Sequence, residues 1–436
     1  MANEEKKVSK KSKSQRIKRF DFKKPPVNPK LRWLVRIVVA IGLKRRRSFV
    51  LRKHNMEGLE KKPYVLLSNH SSMVDFMIAQ RATYPQRLNN VASIEAFHNY
   101  TAVLLRSLGV IGKRKFILDL NLIKNMRYGL HKLGNVFCVY PEARYSLDGC
   151  TSYLPDSLGK MMKLLKVPVV VLNIKGNYID HPQWNKYVKF APIEADMTQI
   201  VTQEEVASLS ADEINQRIKT AFEYDDFKWQ LDNKIVMDHP KRAEGLNSLL
   251  YQCPHCKKEF DMHSEGTQLW CGTCGKRYEM NEYGQLSALE GETEFSHIPD
   301  WFKWQRANVR EEVRNGTYFI EDDVEIHTMP NSIKYRKQGK GHFVQDCNGM
   351  TLTGTAYGEP FVVRKNPLEQ ESIHIEYPPE FGRDTFDIAT HDDSYFFFPL
   401  TKRDLPTKVS IATEEIYLMH KERLHEKQAE NSEENK

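Results

Sequence analysis

The run Tyr64-Val65-Leu66-Leu67-Ser68, followed at once by Asn69-His70-Ser71-Ser72-Met73-Val74-Asp75, constrains this chain more than any other stretch. The apolar run has the length and composition of a buried strand. On one continuous helix, five residues turn the chain about 140° past a full circle, so His70 and Asp75 would diverge. They meet only if His70 sits in the turn after the strand and Asp75 in the first helical turn. The carboxylate then reaches Nδ1, fixes the tautomer and leaves Nε2 free to take a proton from a substrate hydroxyl. With 15 histidines, a chance aspartate five residues downstream is expected about once, so the pair needs support from elsewhere. Its place at a strand-to-helix junction is one support, since α/β folds put their sites at the carboxyl ends of strands.

A second support lies downstream. Asn135-Val136-Phe137-Cys138-Val139-Tyr140 reads as another buried strand and runs straight into Pro141-Glu142-Ala143-Arg144-Tyr145-Ser146. A third apolar run, Val167-Pro168-Val169-Val170-Val171-Leu172, follows. Asn69-His70-x4-Asp75, then Tyr140-Pro141-Glu142, then Val167-Pro168-Val169-Val170, in this order, resembles the glycerolipid (PlsC-like) acyltransferase family, of the 1-acyl-glycerol-3-phosphate acyltransferase type. The resemblance covers about residues 50 to 195.

The resemblance implies an α/β acyltransferase domain with His70 as general base and Asp75 as its orienting partner. Glu142 matches the glutamate that helps build the acceptor site. The family's usual pattern continues with glycine, threonine, arginine and serine; here Ala143, Arg144, Tyr145 and Ser146 stand there, so Tyr145 occupies the arginine's place. Arg144 is the candidate for the acceptor phosphate, since a guanidinium fork suits phosphate oxygens. The family's middle block is matched loosely by Gly109-Val110-Ile111-Gly112-Lys113-Arg114, which offers Lys113 and Arg114 as further phosphate ligands. Neutral His70 would deprotonate the acceptor hydroxyl as it attacks an acyl thioester, supplied by acyl-CoA or acyl carrier protein. Backbone N–H groups near Ser71 and Ser72 are expected to meet the developing oxyanion, the serines themselves acting as caps. No G-x-S-x-G elbow, G-x4-G-K-[ST] loop or H-E-x-x-H helix occurs, which removes the usual grounds for a serine hydrolase, a P-loop enzyme or a zincin.

Charge is unevenly spread. Residues 1–53 hold 19 Lys or Arg against three acidic residues, a net +16 in a chain of +8, so the remainder is about −8. Residues 1–30 are expected to be a disordered basic tail. Leu31-Arg32-Trp33-Leu34-Val35-Arg36-Ile37-Val38-Val39-Ala40-Ile41-Gly42-Leu43 follows, closed by Lys44-Arg45-Arg46-Arg47. It is too short and too charged to span hydrocarbon. A Trp, an apolar body and basic flanks suit a helix lying on an anionic membrane. The competing expectation is a core helix packed on the catalytic domain.

Of seven cysteines, four form Cys253-Pro254-His255-Cys256 and Cys271-Gly272-Thr273-Cys274. The C-x2-C-x14-C-x2-C spacing, with Pro and Gly at the knuckles, predicts a zinc ribbon over 250–290 holding one structural zinc. Reduced thiolate ligands point to a cytoplasmic protein, peripheral on the inner face of the membrane. Lys257, Lys258, Lys276 and Arg277 are too few for a phosphate-tracking surface, and the acidic remainder opposes nucleic acid.

The acyltransferase domain is expected over 31–249, with 196–249 helical and a capping box at Ser210-Ala211-Asp212-Glu213. Residues 291–425 read as a mainly antiparallel β domain, a small barrel or sandwich with flanking helices, and 426–436 as a disordered tail. The function this organisation predicts is acyl transfer to a glycerol-phosphate or lysophospholipid acceptor. The alternative is a zinc-ribbon binding or scaffold protein with an inactive acyltransferase-like domain. A third reading, nucleic-acid binding, rests on residues 6–24 alone.

Overall fold

In the computed structural model of the protein, residues 20–97, 101–117, 119–329, 335–377, 382–391 and 393–434 are described. Three apolar runs build the middle of a seven-stranded sheet. Its strands are β1 (Phe49–His54), β2 (Val65–Ser68), β3 (Leu88–Ser93), β4 (Val110–Lys113), β5 (Val136–Val139), β6 (Val169–Lys175) and β7 (Ile193–Val201), in the order β1-β7-β6-β2-β5-β3-β4. Neighbours are parallel except β6 and β7. Alternate residues of the central strands face opposite cores: Val65 and Leu67 join Phe137, Val169 and Val171, while Leu66 joins Cys138, Val170 and Leu172. Burial on both faces explains why these strands read as unbroken apolar runs.

This order sets up the site. Because β2 lies between β5 and β6, the loops leaving their carboxyl ends converge, one after Ser68, one after Val139 and one after Lys175. A strand expected to be helical, β7, occupies residues 193–201; helices at Gln203–Ser208, Ala211–Ala221 and Asp226–Asp232 follow. Ser210 caps the second of these through a reciprocal pair with Glu213.

Two expectations of disorder are corrected. Residues 1–19 lie outside the described residues, but 20–30 are fastened to the α/β domain. Phe20 packs edge-on against Phe97, Pro26 is buried, and Asn89 and Asn125 donate to the carbonyls of Val27 and Phe22. At the other end, α4 (Leu405–Glu434) continues through the segment expected to be a loose tail. The basic helix α1 (Arg32–Lys44) buries Val39 and Leu43, while Trp33, Leu34, Ile37, Val38 and Ile41 are exposed.

Residues 262–288 form a four-stranded antiparallel sheet. Residues 319–399 form a seven-stranded antiparallel sheet whose edge strands, Glu359–Lys365 and His374–Glu376, do not pair with each other among the described residues. It is an open sheet rather than the expected barrel or sandwich, because α3 (Ile298–Arg314) and α4 take the place of a second sheet. Arg306 Nη1 and Arg310 Nε of α3 hold Glu415 of α4 at 3.0 and 2.7 Å. Tyr251, Tyr278, Trp301, Phe343, Phe386 and Val409 belong to one continuous core, so the small sheet and the β region are packed as a unit.

Candidate active site

The turn after β2 is held on both sides. Asn69 exchanges two 2.8 Å hydrogen bonds with the backbone of Ile174 on β6. Helix α2 (Val74–Thr83) starts only after His70, so the ring stands outside the helix and Asp75 within its first turn. His70 Nδ1 lies 2.8 Å from Asp75 Oδ2. The same oxygen accepts from the backbone N–H of Ser71 at 2.7 Å and Ser72 at 3.0 Å, and Asn177 Nδ2 donates to Oδ1. These neutral donors immobilise a buried carboxylate without cancelling its charge. With Nδ1 donating to Asp75, Nε2 carries the lone pair, and the His70 side chain keeps 21% of its surface.

The Ser71 and Ser72 N–H groups expected at the oxyanion are therefore spent on Asp75, which corrects that expectation. Ser72 Oγ accepts from Val74 N at 3.1 Å, one residue ahead of the N-cap Met73, so neither serine takes the cap position foreseen for it.

The His70 ring is sandwiched between Tyr140, 4.1 Å between centroids, and Tyr145, 4.2 Å. Both come from the loop after β5, which is tied to the first loop by Ser146 N donating to His70 O at 2.8 Å. Glu142 reinforces that tie: its Oε1 accepts from His70 N at 3.3 Å and its Oε2 from Ser152 N at 3.0 Å, with the Tyr224 hydroxyl close by. Burial pushes the Glu142 carboxyl up to about 7, against the pull of Ser152 and Arg144. Glu142 thus holds the turn that carries the histidine.

The three expected phosphate ligands all lie against the β region. Arg144 Nη2 donates to Glu414 of α4 at 2.6 Å in a buried pair, while Nη1 is buried with no hydrogen-bond partner among the described residues. Arg114 Nη1 donates to Ser394 Oγ at 3.1 Å. Lys113 is largely buried; burial lowers its pKa, opposed by Glu371 and Asp119. Lys115, next in sequence, pairs with Asp387 at 2.9 Å. The β region thus roofs the cationic side of the site with its own carboxylates, and its His374 approaches Tyr145 at 6.4 Å between centroids.

Sequence reasoning missed Asn177, Tyr140, Ser152 and Tyr224. For Asn177 a signal existed: Gly176-Asn177 ends the third apolar strand, where a loop residue faces the site. Tyr224 carries no such local mark.

Cys253, Cys256, Cys271 and Cys274 gather as their spacing demands. Their sulfurs all lie within 4.8 Å of one another, with Cys253–Cys274 at 3.8 Å and Cys256–Cys271 at 3.7 Å. Tetrahedral Zn–S bonds of about 2.3 Å require sulfurs about 3.8 Å apart, so the donor set fits zinc.

Residues 50–175 match the family described as Acyltransferase, a span that takes in the His70 turn, the Glu142 loop and β6. The chain therefore carries a domain of the acyltransferase family. It is also similar to the crystal structure of the 1-acyl-sn-glycerophosphate (LPA) acyltransferase PlsC from Thermotoga maritima, at 15% identity and a TM-score of 0.36, over 44% of this chain and 77% of that one. No curated protein matches the chain.

Proposed function

We propose that the protein transfers a fatty acyl group from a thioester donor, acyl-CoA or acyl carrier protein, to the hydroxyl of a glycerol-phosphate or lysophospholipid acceptor. The observation that carries this reading is the His70–Asp75 pair, aligned at 2.8 Å with Nε2 unengaged by Asp75, inside an acyltransferase-family domain. His70 takes the acceptor proton as the hydroxyl oxygen attacks the thioester carbonyl; Asp75 stabilises the imidazolium so formed. The proton then passes to the departing thiolate. The flanking rings of Tyr140 and Tyr145 keep the imidazole in one orientation and limit its contact with water. Arg144, through Nη1, and Lys113 and Arg114 are the proposed contacts for an acceptor phosphate.

The reaction is proposed to run on the cytoplasmic face of an anionic membrane, with the exposed apolar side of α1 in the lipid and its basic end at the headgroups. No helix among the described residues is long and apolar enough to cross a membrane. The four cysteines are proposed to bind one zinc, which supplies folding energy to residues 250–290; metal analysis of reduced protein giving no zinc would sink that part.

One observation favours a second reading, an inactive scaffold: two of the cations expected to read the acceptor, Arg144 and Arg114, are engaged by Glu414 and Ser394 of the β region. An assay of the purified full chain with labelled acyl donors and a panel of lyso-acceptors separates the two. Transfer that depends on His70 supports the enzyme; none with any pairing supports the scaffold.

A further inference from the structure

An open cavity of about 250 Å³ lies just past the C-terminal end of α1, lined by Arg47, Lys189, Met237, Asp238, His239 and Pro240. None of these residues belongs to the catalytic pair or its supports. Lys189 also lines the apolar crevice behind, with its Nζ 5.8 Å from the Trp184 ring centroid. That Nζ is buried and has no hydrogen-bond partner among the described residues. Buried ammonium groups are normally paired, so the cavity holds a donor with no acceptor.

The charged groups around it sharpen the point. Asp180, the carboxylate that most opposes the loss of charge on Lys189, is already committed to Arg46 Nη2 at 2.8 Å and Ala191 N at 2.7 Å. Burial brings Lys189 down to about 7. His181 and His239 are lowered by burial and then by Lys189 itself, with Arg46 adding to the effect on His181 and Lys241 to that on His239. Arg47 donates to Val236 O at 2.6 Å and lies 3.3 Å from Asp238, the single carboxylate of the lining, which is mostly exposed. A buried ammonium with no acceptor, beside Arg47 and two histidines whose protonation it opposes, makes a site for an anion.

What surrounds the cavity says where that anion comes from. Arg47 N donates to Phe190 O, and both Phe190 and Val236 expose their side chains at the rim. The exposed face of α1, from Trp33 to Ile41, leads to the same end. A free phosphate would make no use of an apolar rim; a phospholipid would use rim and cavity together.

We propose that this cavity binds the phosphate of an anionic phospholipid headgroup, with Lys189 and Arg47 as donors and the exposed side chains of α1, Phe190 and Val236 in the lipid. The proposal rests on the membrane-surface reading above but not on acyl transfer. Isothermal calorimetry on the zinc-loaded full chain tests it, using phosphatidylcholine vesicles with and without phosphatidylglycerol, in two buffers of different ionisation enthalpy near neutral pH. A phosphodiester headgroup does not titrate there, whereas Lys189 regains its proton when the phosphate arrives. Wild type should therefore take up part of a proton on binding anionic vesicles. Lys189→Met should take up none and bind about tenfold more weakly, and Arg47→Gln should weaken binding in the same direction. Lys44→Met, which removes an exposed charge at the same end of α1, should keep the proton uptake. Equal loss of uptake in Lys44→Met and Lys189→Met, or equal binding by wild type and Lys189→Met, overturns the proposal. Inorganic phosphate bound in a Lys189-dependent way, with vesicle binding unaffected by the variant, would assign the cavity to free phosphate and overturn the lipid headgroup. No binding of wild type to any vesicle would sink the membrane reading along with it.

Discussion

His70 and His374 each present Nδ1 to a buried aspartate, at 2.8 Å to Asp75 and 3.1 Å to Asp387, and both rings flank Tyr145. The two pairs are built differently. Asp75 is held by backbone N–H groups and an amide, all neutral, so its charge remains for an imidazolium. Asp387 is buried too, but Lys115 at 2.9 Å has claimed its charge and holds it below the usual carboxylate range. His374 Nδ1 lies off the hydrogen-bonding line to Asp387, and its side chain keeps 5% of its surface against 21% for His70. A carboxylate fixed by neutral donors beside an open ring leaves a histidine equipped to act as a base. When a lysine takes the carboxylate, the same two residues make a domain contact.

Substitution at both histidines is the hardest test of that difference. His70→Ala should lower acyl transfer by about 10²–10⁴-fold, the usual worth of a general base. His374→Gln should leave the rate within a few-fold, approximately, since no proton passes through it. A loss of similar size at His374, in a protein of unchanged stability, would make the second pair part of the chemistry.

Arg144 divides the two regions next. Removing one partner of a buried ion pair costs about 3–5 kcal/mol; Glu414 keeps Arg306 and Ser372, so Arg144→Ala should sit near about 3 kcal/mol in urea unfolding. A change below about 1 kcal/mol joined to a raised KM for a phosphate-bearing acceptor would instead give Arg144 wholly to the substrate.

The contrast between the pairs also shows what a sequence can reveal. His70 and Asp75 are five residues apart at a strand end, and the Cys253–Cys274 knuckles are local turns, so short-range geometry made both legible. The strands β2, β5 and β6 were legible because parallel strands pack as apolar runs. The partner of Arg144 lies 270 residues away on α4, and that of Lys115 lies 272 away. Nothing in the local pattern of either region announces such a contact. The helical reading of 196–201 failed for a related reason: Ile193–Val201 alternates buried and half-buried positions as a strand does, but only pairing with β6 reveals it. The disorder expected of residues 20–30 gave way to long-range contacts with Phe97, Asn89 and Asn125.

Glu142, which steadies only the first pair, gives a pH-dependent test. Its carboxyl is raised from 4.5 to about 7 by burial. Between those values the folded chain keeps a proton the unfolded chain has released. The stability contributed by this group therefore falls as pH rises through the window and levels off above about 7. Comparing wild type with Glu142→Gln in urea at pH values below and above the window cancels the other groups. Wild type should lose about 1–3 kcal/mol relative to the variant across it. A difference that grows with pH would mean that the bonds from His70 and Ser152 outweigh burial.

The smallest expected effect lies in the turn that sets Tyr145 between the two histidines. Ala143 adopts φ of +56°, where an L-residue costs about 1–2 kcal/mol. The family pattern has glycine at this position, which enters that region freely. Glycine also gives the unfolded chain more freedom, which returns about 0.4–1 kcal/mol. Ala143→Gly should accordingly raise stability by about 0.5 kcal/mol, read as a small shift of the urea midpoint with unchanged slope. Because Tyr145 is held by its ring contact with His70, the rate of acyl transfer should not move. A drop in rate without loss of stability would show that Ala143 stiffens the loop that fixes the His70 ring, and that the strain at this turn belongs to the first pair rather than to the contact with the second.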